Sequence, residues 1–82
     1  MRSLTRTLRR SFRDRLVDAA MDSYVEWREE SEDVRGAYQR WAVSVLVDRE
    51  LAFRAYRAAL DREEKAALVH GFTVERFVAS RD

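Results

Sequence analysis

Val17, Ala20, Tyr24, Trp27, Ser31, Val34, Tyr38, Trp41 and Val45 recur at alternating steps of three and four, and only Ser31 among them is polar. An α-helix returns to the same face every 3.6 residues, so this alternation lays one apolar seam along a helix built to pack against another. The pattern holds its phase through Ser31–Gly36, which favours one continuous helix across that stretch. A break at Ser31, which could cap a new helix, is the alternative. The chain has no proline and two glycines, Gly36 and Gly71. Few turns are therefore marked, and long helices are expected. A glycine inside a helix costs about 1 kcal/mol relative to alanine, which a long packed helix tolerates.

The expected class is all-α. A basic arm covers residues 1–10, helix 1 covers 11–43, helix 2 covers 48–70 and a short third helix covers 73–80. Ser11 and Asp14 have the spacing of a capping box at the start of helix 1. Val43–Val47 is rich in β-branched residues, which are weaker helix formers, and Asp48 suits the N-cap of helix 2. Along helix 2, Phe53, Tyr56, Leu60 and Ala67 form one apolar edge, and Ala52, Ala55, Ala59 and Ala66 form the next. His70 then stands where a cation would meet the negative helix pole, and Gly71 where a left-handed residue would end the helix. Thr73 suits a third cap, and Phe72 with Phe77 has the spacing of a hydrophobic staple.

A turn near residues 44–47 makes the two helices antiparallel, with facing residue numbers adding to roughly 92 on short-loop geometry. In that register Arg28 and Glu63 approach each other at the seam, and an ion pair is expected there as a register-setting contact. Two helices cannot enclose a core, because each apolar arc spans more than about 100°. At about 25 cal/mol per Å², a few hundred Å² of exposed aromatic surface favours association by several kcal/mol before association costs. A twofold homodimer forming a four-helix bundle is the simplest outcome. The expected self-association or partner face comprises Val17, Tyr24, Trp27, Val34, Tyr38, Trp41, Phe53, Tyr56 and Leu60.

Sixteen basic and fifteen acidic side chains leave a net charge of +1, so no global field calls for a polyanionic partner. Placement is less even. Arg2, Arg6, Arg9, Arg10 and Arg13 interleave with Leu4, Leu8 and Phe12 in a basic amphipathic stretch. This start is the candidate contact for phosphates, in a nucleic acid or an anionic membrane. The acids at Glu26, Glu29, Glu30, Glu32 and Asp33 read as a solvated face, with Glu32 able to meet Arg28 and Arg35. There is no cysteine and a single histidine, without the Glu-x-x-His spacing of di-iron bundles. No metal, cofactor or catalytic residue is therefore assigned. Nor is there a glycine-rich phosphate loop. A small helical enzyme working through Arg28, Arg35 and Glu63 is the remaining catalytic alternative. No apolar run approaches the roughly 20 residues of a membrane span, and the cytoplasm is the expected location.

The segments Tyr24–Trp27, Ala37–Trp41 and Ala52–Ala67 (AFRAYRAALDREEKAA) resemble small helical proteins of high-GC actinobacteria that carry aromatic pairs on one helix and AF-x-x-Y-x-x-AL-D-x-EE on the next. The resemblance implies a helical hairpin and a bacterial source, and it brings no activity or site residues with it.

Overall fold

A computed structural model describes residues 2–81, with side chains described from Leu4 to Arg81. Two helices run antiparallel: α1, Arg2–Ala42, and α2, Leu46–Ala79. Together they make a rod of 69 × 14 × 12 Å. The facing pairs Trp41–Phe53, Tyr38–Tyr56, Ser23–His70 and Arg13–Ser80 place the register, their numbers adding to 93 or 94 rather than the 92 expected.

Helix α1 passes through Ser31–Gly36 without interruption, as the unbroken seam requires. It also begins earlier than expected. The basic stretch from Arg2 to Arg10 is part of α1, and Ser11 lies inside the helix rather than capping it. No proline or glycine separates that stretch from the seam, and Leu8, Phe12 and Leu16 continue the helical spacing across the boundary.

Helix α2 departs from expectation at both ends. Val45 occupies the N-cap in extended backbone (φ −83°, ψ 165°), and no side chain caps the helix. Asp48 falls in the first turn instead, its N–H donating to Val45 O at 3.0 Å, where its charge still meets the positive pole. Ser44 Oγ turns back to Trp41 O at 2.7 Å and closes the end of α1. At the far end Gly71 does not terminate the helix. No residue among those described has positive φ, and residues 73–79 continue α2, with Ser80 as its C-cap, rather than forming a third helix over 73–80. The reason is tertiary. His70, Thr73 and Phe77 carry the helical spacing past Gly71, and each finds surroundings on the long α1. That gain exceeds the roughly 1 kcal/mol penalty of a glycine within a helix.

Burial is sparse. Leu16, Ala37, Ala59 and Ser23 are the buried side chains among those described. The accessible surface is 7002 Å². A compact monomer of this mass would expose about 5,100 Å² on the usual scaling.

Candidate association face and the His70 clasp

The seam residues meet in two aromatic clusters. Near the loop, Trp41 stacks on Tyr56 (centroids 5.6 Å, planes 9° apart) and touches Phe53 at 5.2 Å. Tyr38 meets Tyr56 edge-on at 5.6 Å, and Arg49 lies over the Trp41 ring at 5.8 Å. Near the middle of the rod, Trp27 stacks on His70 at 5.6 Å with planes 22° apart, and Tyr24 contacts both rings. Offset and edge contacts of this kind suit the ring quadrupoles and add to simple burial.

A polar clasp lies beside the second cluster. Ser23, 5% exposed, donates its hydroxyl to Ala20 O at 2.9 Å. The same oxygen lies 2.9 Å from His70 Nδ1 and 2.7 Å from Thr73 Oγ1, and Thr73 in turn donates to His70 O at 2.8 Å. Two hydroxyl protons cannot serve four contacts. With Ser23 giving its proton to Ala20 O, the Ser23–His70 contact forms when Nδ1 carries hydrogen and donates to Oγ, and Thr73 divides its one proton between Ser23 Oγ and His70 O. This is an arrangement for holding two helices together. Ser23 Oγ is buried and donates to a carbonyl, the opposite of a hydroxyl activated by a base.

Glu63 takes a different partner from the one expected. Trp27 Nε1 donates to Glu63 Oε1 at 2.7 Å. Arg28 instead lies 4.0 Å from Glu32, and Arg35 lies 3.9 Å from the same carboxylate. The expected Arg28–Glu63 ion pair is thus replaced. Trp27 occupies the seam opposite Glu63, while Arg28, one residue on, is turned about 100° outward and reaches along its own helix. Across the helices, Arg62 pairs with Glu30 at 3.3 Å.

The nine residues expected to form the association face lie along both helices with their aromatic members in contact. Val17, Trp27, Val34, Trp41 and Tyr56 are half-buried between the helices. Tyr24 (48%), Tyr38 (50%), Phe53 and Leu60 remain exposed. Val17, Met21, Tyr24, Val25, His70 and Phe77 line an apolar depression of about 330 Å³ at mid-rod. Sequence reasoning missed Ser23, His70, Thr73 and Phe77 as a group because it ended helix 2 at residue 70. The steps Glu63, Ala66, His70, Thr73, Phe77 keep the 3–4 spacing, and following it beyond Gly71 would have found them. On the opposite side, Glu26, Glu29 and Glu30 share a shallow depression with Arg62 and Lys65, so that face is polar and of mixed sign.

The arginines expected to meet anions lie in the first part of α1. Arg13 Nη2 donates to Ser80 O at 3.5 Å, at the level where α2 finishes. Residues 2–12 run on beyond it for about 16 Å, at 1.5 Å per residue. Arg6, Arg9 and Arg10 are exposed on this overhang, as are Leu4, Leu8 and Phe12, while the Arg2 side chain lies outside those described. At the other end of the rod, Leu46 is 90% exposed and Val47 87%. No helix is long and apolar enough to cross a membrane among the described residues.

No family model matches the chain. No curated protein and no solved structure matches it either.

Proposed function

We propose that this chain is a non-enzymatic association module, acting by helix-mediated self-association or by binding a protein partner, with a homodimeric four-helix bundle as its first form. The observation that carries the reading is the mismatch between apolar content and burial. The hairpin buries Leu16, Ala37 and Ala59 as its apolar core, yet leaves Tyr24, Tyr38, Phe53 and Leu60 exposed along its apolar side. A second copy has ample surface to cover. A compact particle of twice the mass exposes about 8,500 Å². Two hairpins of 7002 Å² each therefore have up to about 5,500 Å² to remove from water, and half of that already falls in the range of obligate dimers.

Light scattering across a concentration series tests the reading. A mass twice 9.7 kDa that persists on dilution supports self-association. A stable monomer at all concentrations that also retains no protein partner would overturn the module reading.

A second reading rests on the overhang. A basic helix segment with exposed Leu4, Leu8 and Phe12 suits an anionic membrane surface or a nucleic acid. Binding to anionic vesicles or to DNA at low salt that disappears on deleting residues 2–10 supports it. Binding that survives the deletion, or none at low salt, argues against it.

A further inference from the structure

We infer that the second copy packs antiparallel to the first, the two loops at opposite ends, with the twofold axis crossing the rod beside Gly71 and the Met21–Tyr24 turn of α1. This rests on the self-association reading and adds the polarity and centre of the interface.

Three observations converge on that point. The first is Gly71 itself. It is an interior residue of α2 without positive φ, so no turn requires it, and a Cβ built there meets nothing within 4 Å. Within one hairpin the glycine has no role, and it still weakens the helix by roughly 1 kcal/mol. A glycine on an outward helix face has a role where another backbone must approach closely. Gly71 shares its stripe with Leu60, Ala67, Val74 and Val78 by helical spacing, and this stripe flanks the inter-helix seam on the side away from Arg62, Lys65 and Val69. It therefore belongs to the same face of the hairpin as Val17, Met21 and Tyr24.

The second observation is position along the rod. The Ser23–His70 contact sets Gly71 level with about residue 22 of α1, which is the midpoint of Arg2–Ala42. A twofold axis across the rod at its midpoint is the operation that superposes two rods over their whole length. The apolar depression lies at that level, so the least polar part of the face becomes the centre of the interface, where association energy concentrates.

The third is charge. Residues 2–13 hold five arginines and no acid. A parallel dimer with antiparallel neighbouring helices would set two such segments at the same end, diagonally across the bundle at about 11–14 Å, within twice the Debye length of roughly 8 Å at physiological salt. The antiparallel arrangement moves them to opposite ends of a 69 Å rod, where screening removes their repulsion. Packing of neighbouring helices is antiparallel in both arrangements, so helix dipoles do not discriminate between them.

The full chain has no cysteine, so single-cysteine variants report cleanly. Gly71→Cys and Val45→Cys are treated with a short bis-maleimide after light scattering has established their native mass. Covalent dimer from Gly71→Cys and none from Val45→Cys is expected. Linking through Val45→Cys, with or without Gly71→Cys, would mean that the loops lie together and would overturn the antiparallel arrangement while self-association stands. A dimer linked by neither variant would overturn the placement of the axis. A monomer would remove the self-association reading on which this one rests. Gly71→Leu gives an independent check, since the open space around Gly71 leaves the hairpin able to fold. It should raise the dimer dissociation constant at least tenfold with helix content unchanged, and an unchanged constant would count against the axis.

Discussion

Trp27 Nε1 donates to Glu63 Oε1 at 2.7 Å, joining an indole to a carboxylate across the middle of the hairpin. A hydrogen bond to a charged acceptor contributes roughly 1.5–3 kcal/mol where water is partly excluded. Trp27 also stacks on His70, so one side chain ties α1 to two points of α2 about two turns apart. Replacing Trp27 by phenylalanine keeps an aromatic ring and removes the N–H. Urea denaturation of Trp27→Phe should show a loss of about 1.5–3 kcal/mol. Trp27→Phe combined with Glu63→Leu should recover part of it, because the carboxylate no longer lacks its partner.

The Ser23 hydroxyl stands at the centre of three short contacts, and removing it leaves His70 Nδ1 and Thr73 Oγ1 without their partner on α1. Ser23→Ala should destabilise the fold by about 1–3 kcal/mol, the range for leaving buried polar groups unpaired. Thr73→Ala should cost less alone. In a double-mutant cycle the two effects should fall short of adding, since both act on one network. Full additivity would mean that the contacts are independent.

Val45 occupies an N-cap with the extended backbone that a capping residue needs, and its side chain offers no acceptor. Val45→Asp supplies one at the positive end of α2. An increase in stability of about 1 kcal/mol is expected, read as a higher urea midpoint at unchanged slope. Val45 is exposed, so little apolar burial is lost.

Gly36 lies inside α1, where alanine is the better helix former. An added Cβ there meets Arg40 Nη1 at 3.3 Å, the end of a flexible side chain that can move aside. Gly36→Ala should therefore stabilise the hairpin by up to about 1 kcal/mol. A loss of stability would mean that Arg40 is held in place by a contact that matters. All four comparisons should be made at one protein concentration, because association shifts apparent stability by mass action.

The helical class, the hairpin and the unbroken passage through Ser31–Gly36 were legible in the residues themselves. A 3–4 alternation from Val17 to Val45, without proline, defines a helical face before any partner is known. The closeness of Glu32 to Arg28 and Arg35 was legible for the same reason, since three- and four-residue spacings fix neighbours on one helix. Local signals misled where they competed with packing. Ser11, Asp48, Gly71 and Thr73 are each residue types that mark helix ends, and each lies inside a helix. Propensities and caps are worth about 1 kcal/mol apiece, and the stacking of Trp27 on His70 with the Ser23 clasp outweighs them. The tertiary structure also chose Trp27 over Arg28 as the partner of Glu63. One residue along a helix turns a side chain by about 100°, and only the packed register decides which of two neighbours faces across.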